Sequence, residues 1–442
     1  MQILLLIMAG MIPFFVILTS ALNFYAGYHF AEEYVMVPCL LFFGMALAQR
    51  LTSTAKKCLL LSAVTVGWFV VTQLQHHLVY MDPRNIGMFA VSYLLAFPFA
   101  AVTEDGDRNV GLKWIGRIYL AFSLLMVGLT MTLQLDAVPG VLASEVYWDG
   151  VRARIFWHPN GSAFVLLLGL GFSLYFLTQA DRKWKKWALA ILTLLQFLTM
   201  VLTNSRTTIL LACALMSGTV FFMFWKGSWK QFLAGAAAAL AVMAVLLGTY
   251  NLVFDLHNEV QIEKIMTQQE SASTQNLIVD EETGEVSVFG ADNSVQGDLS
   301  KDMKTLNGRT YIWKAAFGAF RDNPQVRIWG TEYVAEEVSY RNYFPVVNCH
   351  NAWIQMLMLF GIPGLLVAVA FTVIAVKNLL VIMSLKKGEI SRKVIAMIVV
   401  CLLAGSMLEV YLFTGEDLSN CQNFLFFLCT GYLVQWNRKT MK

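Results

Sequence analysis

Long apolar stretches alternate with short polar ones along almost the whole chain. Only one polar interruption, residues 251–350, is long. Apolar runs of a length that crosses a bilayer as a helix, about 17 to 25 residues, recur from end to end. The pattern predicts twelve spans, near residues 2–22, 34–49, 58–76, 86–102, 113–134, 161–178, 187–203, 207–224, 231–250, 351–376, 392–412 and 423–436. The opening run, "MQILLLIMAGMIPFFVILTSAL", has no basic start and reads as a first span rather than a cleaved signal. The predicted fold is therefore an all-α polytopic membrane protein. One large loop lies between spans 9 and 10, dividing the chain into 1–250, 251–350 and 351–442.

Composition agrees with this pattern. Hydrophobic residues make up 57% of the 442 and charged residues only 14%, against about 25% charge in soluble domains. The net charge of +3 gives no sign of a nucleic-acid partner; the partner that the composition demands is the lipid bilayer. The placement of the charges says more. With both termini inside, twenty Lys and Arg fall in inner loops, span ends and the tail. Four (Arg84, Arg152, Arg154, Arg206) fall in short outer loops, and eight lie in 251–350. Basic residues in short loops mark the cytoplasm, so both termini are expected inside and the long loop outside. All six histidines (His29, His76, His77, His158, His257, His350) then lie outside or at outer span ends. Histidine is the side chain whose charge changes near neutral pH, so acid–base chemistry gathers on one side.

The long loop has two halves. Residues 255–303 carry eleven Asp and Glu against two Lys, a composition expected of a flexible flap, with a small hairpin around Glu282-Thr283-Gly284-Glu285. Residues 307–350 are aromatic and basic. There Tyr311, Ile312, Ala315, Ala316, Phe317 and Phe320 fit one face of an amphipathic helix, expected at the membrane surface or capping the bundle.

The outer arginines run against the charge rule. Arg84 has Asp82 beside it. Arg206, in "VLTNSRTTILL", sits between two apolar spans with almost no loop. An arginine there faces a cavity on a functional path, snorkels to the interface, or pairs with an acid such as Glu409. Arg152 and Arg154 precede the Pro159-Asn160-Gly161 turn, and Arg309 opens the amphipathic stretch. Arginines converging on an outer cavity suit a phosphate ligand, whose oxygens match the guanidinium fork. For Arg152 a plain interfacial anchor is the better account. His350, in "NCHNAWIQ", stands at the outer mouth of a span after the aromatic-basic segment; it is a candidate general base or a hydrogen-bonded structural residue. Glu409 is the one acid expected inside a span, toward its outer end. No outer His-x-x-x-His or Cys-x-x-Cys pair suggests a metal. Cys349 and Cys421 are the two cysteines on the outer side that could bridge.

Four segments, in order, resemble the O-antigen ligase and O-antigen polymerase superfamily. They are "RIFWHPNGSAF", the Ser-Arg of "TNSRTTILL", "GRTYIWKAAFGAFRDNP" followed by "WGTEY", and His350-Asn351 followed after nine residues by Gly361-Ile362-Pro363-Gly364. The family's Gly-x-Gly appears here as Trp329-Gly330-Thr331. The resemblance spans about 154 to 364. It implies a GT-C-like glycosyltransferase, acting without metal or other cofactor at the outer face of the bacterial inner membrane. The donor would be a glycan on polyprenyl diphosphate and the acceptor a glycan or glycolipid. The resemblance implies that Arg206 and Arg309, with Arg154, hold the diphosphate. His350 would take the acceptor's hydroxyl proton, with inversion at the anomeric carbon and Asn351, Trp313 and Glu409 in support. A repeat-unit polymerase and a ligase share these segments. A transporter of the same lipid-linked glycan is the alternative of another class. Against it, the halves of the chain are unlike and the charges gather at one face.

Overall fold

A computed structural model describes residues 53–76, 110–143, 146–149, 152–156, 159–225, 227–273, 309–331, 334, 337–339, 348–385, 389–410, 412–413 and 419–440. The expected spans near 2–22, 34–49 and 86–102 lie outside them, as do Arg84, His29, His77, His158 and the hairpin expected around Glu282. The described helices are α1 (Ser53–Gln75), α2 (Val110–Gln134), α3 (Pro159–Gln179), α4 (Lys183–Thr203), α5 (Arg206–Phe224), α6 (Trp229–Ser273), α7 (Arg309–Asp322), α8 (Pro324–Trp329), α9 (Ala352–Ser384), α10 (Ile390–Ser406) and α11 (Ser419–Thr440). Six contain segments long and apolar enough to cross a membrane: Leu112–Gln134, Pro159–Gln179, Lys183–Thr203, Arg206–Phe224, Trp229–Gln261 and Ala352–Ser384.

The described residues are mostly helical, consistent with the expected all-α polytopic membrane class, with one short antiparallel hairpin of β1 (Val146–Asp149) and β2 (Arg152–Ile155) beside the helices. The helix that holds the span expected near 231–250 runs on to Ser273. No Gly or Pro falls between 251 and 273 to break it.

α3 is the hub. It is apolar all round, begins with Pro159 and is buried from Gly161 through Tyr175. It packs against α2, α4, α5 and α10. Polar side chains tie it in: Ser173 Oγ donates to Gln196 Oε1 (2.8 Å), and Gln196 Nε2 to Ser123 Oγ (2.6 Å). At Gly169 an added Cβ would run into Ser123, so glycine sets this close approach.

α9 is broken in its middle. Gly361 has φ 66° and ψ −162°, and Pro363 follows. Proline brings no N–H, and the glycine's conformation is closed to residues with a Cβ. The carbonyls released at the break are taken by other elements. Thr331 N donates to Met358 O (2.7 Å) and Trp68 Nε1 on α1 to Phe360 O (3.2 Å). Trp329 stacks on Trp68 with ring centres 5.5 Å apart. Gly330 (φ 83°, ψ −163°) lies so close to α9 that a Cβ would strike the Leu359 carbonyl. The Trp329-Gly330-Thr331 segment is thus a backbone clasp on the broken helix. Gly330→Ala is expected to cost at least about 1–3 kcal/mol from the backbone conformation alone, read as a lowered unfolding temperature of the purified protein.

α7 forms where the amphipathic pattern places it, with its buried stripe shifted. Ile312, Ala315, Ala316 and Ala319 are buried, while Tyr311 and Phe317 are exposed. The spacing i, i+3, i+4, i+7 is kept, but small side chains take the centre because they allow close contact.

Candidate active site

Asn351 builds the entry to α9. Its Oδ1 accepts from Trp353 N (3.1 Å) and Ile354 N (3.0 Å), a side-chain cap on two otherwise orphan donors. Its Nδ2 donates to Met407 O (2.9 Å), just past the end of α10. One side chain therefore ties the start of α9 to the turn that carries Glu409. The preceding residues are pinned as tightly. Cys349 N donates to Gln355 Oε1 (2.9 Å), and Trp313 Nε1 on α7 donates to Cys349 O (3.0 Å). His350, at φ 46°, has its N–H held by Asn348 Oδ1 (2.9 Å). This left-handed turn of the backbone is one that histidine visits more readily than most residues.

Glu409 is the centre of the cluster. α10 ends at Ser406, so the carboxylate sits in the turn beyond it, not within the helix as the apolar pattern suggests. Its Oε1 accepts from Arg309 Nη2 (2.6 Å) and from Asn160 Nδ2 (3.1 Å), and its Oε2 faces His350 Nδ1 at 3.0 Å. Arg309 is the first residue of α7 and Asn160 the second of α3, so helices from both ends of the sequence converge here. The side chains of Arg309 and Glu409 are 12% and 13% exposed and that of His350 is 35%, so the ion pair is shielded and the imidazole is within reach of a ligand.

The electrostatics follow from these contacts. Burial alone would raise the Glu409 carboxyl. The bond to His350 and the charges of His350 and Arg309 outweigh it and hold the group below its ordinary value. An ionised carboxylate only accepts hydrogen bonds. The His350 proton that faces it is therefore on Nδ1, and once the ring is neutral its Nε2 is a lone-pair acceptor. Arg309 has a buried Nε with no hydrogen-bond partner. A buried N–H of this kind is costly unless a ligand completes it.

The structure gathers His350, Arg309, Glu409, Asn351 and Trp313 into one construction. Arg206 opens α5 at an exposed position beside Tyr250, whose hydroxyl donates to Asn204 Oδ1 (3.3 Å). Glu409, which the sequence offered as a partner for Arg206, is engaged by Arg309 instead. Arg154, on β2, lies over the Tyr147 ring with its guanidinium carbon 5.2 Å from the centroid. Cys349 is buried in the pinned loop, and the Cys421 side chain lies outside the described residues. Among the described residues no group of three or more His, Cys, Asp or Glu is gathered as a metal site needs.

Two members were missed. Asn160 passed for a turn residue of Pro159-Asn160-Gly161, and Arg152 for an interfacial anchor. Arg152 Nη2 donates to Asn160 Oδ1 (2.8 Å) and its Nε to Thr203 O (3.1 Å). The signal was present in the charge pattern: Arg152 is an outer arginine that defies the rule, immediately before a helix start.

Comparison with known families bears on this cluster. Residues 188–369 match the family model described as O-antigen ligase, and that match supports the resemblance over three of its four segments; "RIFWHPNGSAF" lies before it. The matched stretch holds Arg206, Arg309, Trp313, His350 and Asn351 and leaves out Arg152, Arg154, Asn160 and Glu409. No curated protein matches the chain.

Proposed function

We propose that this membrane protein of the O-antigen ligase and polymerase superfamily transfers a glycan from polyprenyl diphosphate to an acceptor sugar hydroxyl, at the outer face of the bacterial inner membrane. The observation that carries the proposal is the Glu409 carboxylate bridging His350 and Arg309. It supports the reading because an imidazole and a guanidinium with a buried Nε–H that lacks a hydrogen-bond partner share one carboxylate.

The Nε2 of His350 takes the proton of the acceptor hydroxyl as that oxygen attacks the anomeric carbon. The bond from the anomeric carbon to the diphosphate oxygen breaks, and the leaving group departs with the electron pair on the opposite face, inverting the centre. The proton stays on His350, whose positive charge Glu409 stabilises. The leaving diphosphate is met by Arg309 through its remaining N–H groups, with Arg206 and Arg154 as further contacts. Fixed cations in a shielded site stabilise such charge without reorganising.

Deletion of the gene, followed by sizing gels of carrier-bound and surface glycan, tests this. Single repeat units where long chains stood identify a polymerase. Long chains trapped on the carrier, with a bare surface acceptor, identify a ligase. Complementation with His350→Ala or Arg309→Ala is expected to leave either defect in place. A wild-type pattern with His350→Ala at normal protein level overturns the assignment and favours a transporter.

A further inference from the structure

Arg152 spans two parts of the molecule that the proposed reaction needs together. Its Nε reaches the carbonyl of Thr203, the last residue of α4, and its Nη2 reaches Asn160. Thr203 leads through Asn204, a left-handed cap at φ 51°, and Ser205 to Arg206. Asn160 leads in one step to Glu409 Oε1 and from the same carboxylate to His350. One guanidinium thus joins the turn that bears Arg206 to the carboxylate that orients His350. Arg152 also shares a hairpin face with Arg154: the register pairs Arg152 with Asp149 and Arg154 with Tyr147, leaving Val146, Trp148, Ala153 and Ile155 on the other face. Val146, Ala153 and Ile155 on the apolar face are buried, the arginine face is half-buried, and from it Arg152 reaches Asn160.

We propose that Arg152 and Asn160 are positioning residues that hold the Arg206 turn and the Glu409–His350 pair in one register. This rests on the transfer reaction proposed above. Asn160 is suited to the task because an amide can face both ways at once. Its Oδ1 accepts from a cation while its Nδ2 donates to an anion. Aspartate would keep the first bond and lose the second. It would set a second carboxylate against Glu409 until the pair takes up a proton. Once protonated, the introduced carboxyl can again donate to Glu409.

That difference supplies a signature that packing alone does not. Full-length protein in proteoliposomes is given lipid-linked glycan extracted from the deletion strain and the host's own acceptor, and initial rates are taken from pH 8 to pH 6. Asn160→Ala and Asn160→Asp are each expected to run on the order of 10–100-fold below wild type at pH 8. Relative to wild type at each pH, Asn160→Asp is expected to regain about tenfold on reaching pH 6, while Asn160→Ala regains nothing. Arg152→Gln is expected to lower kcat by about tenfold with the donor KM within about twofold. Equal pH profiles for the two Asn160 variants, or a loss confined to KM in Arg152→Gln, overturns the proposal and leaves the transfer reaction standing. No transfer by the wild type overturns both. If Asn160→Asp does not reach the membrane, Arg152→Gln decides alone.

Discussion

His350→Ala is expected to lower the transfer rate on the order of 10²–10⁴-fold while the protein still folds. The magnitude is that of a lost general base. Folding should survive because the loop around His350 is held by other groups. Asn351 caps α9, Cys349 is bonded through its backbone to Gln355 and Trp313, and the His350 side chain is more exposed than those of Arg309 and Glu409. His350→Gln is the sharper variant, since an amide can still donate to Glu409 but is no base. Equal losses in the two, with unchanged unfolding temperature, would identify proton transfer as the function of the ring. Full activity in His350→Gln would refute it. The measurement is the initial rate of glycan transfer in proteoliposomes with donor saturating.

Glu409→Gln is expected to have the larger effect on stability and a comparable effect on rate. The change is nearly isosteric, but it leaves Arg309 shielded from water without a counter-charge and removes the acceptor of the His350 proton. Breaking a shielded ion pair on one side costs about 3–5 kcal/mol. The unfolding temperature of purified protein should fall accordingly, and the activity should fall with the orientation of His350. A pH dependence accompanies this. The Glu409 carboxyl is held below its ordinary value, so near the usual glutamate range, about 4.3, the unfolded chain binds more protons than the folded one. Stability from this group is therefore complete above that range and is lost as pH falls through the lower folded value. Thermal unfolding followed from neutral to acid pH should show this loss in wild type and not in Glu409→Gln. An unchanged acid dependence in the variant would show that Glu409 is not its source.

The membrane class, the six candidate spans, α7 and the outer arginines and histidine that form the candidate site were legible in the pattern of residues. Each depends on neighbours within a helix turn or on average composition. A run such as Arg206–Phe224 is apolar enough to cross a bilayer wherever it sits. The spacing Ile312, Ala315, Ala316, Ala319 makes one helical face without reference to the rest of the chain. The span expected near 231–250 lies within α6, and the helix continues past it with no Gly or Pro before Ser273 to break it.

What the chain alone could not decide is who pairs with whom. Glu409 looked like an acid within a span and a partner for Arg206, whereas it lies in a turn and takes Arg309, His350 and Asn160. These partners are separated from it by 100, 59 and 249 positions, and no periodicity reaches across such distances. Arg152 and Asn160 gain their meaning only when α3, α4 and the hairpin meet. Gly330 and Gly361 were visible as glycines, but their need to be glycine arises where two backbones touch. Sequence determined the elements and the chemistry available at their ends, because helix formation and membrane partition act over one span at a time. Tertiary packing decided the site, because a carboxylate taken from water must find its donors in whichever helices arrive beside it.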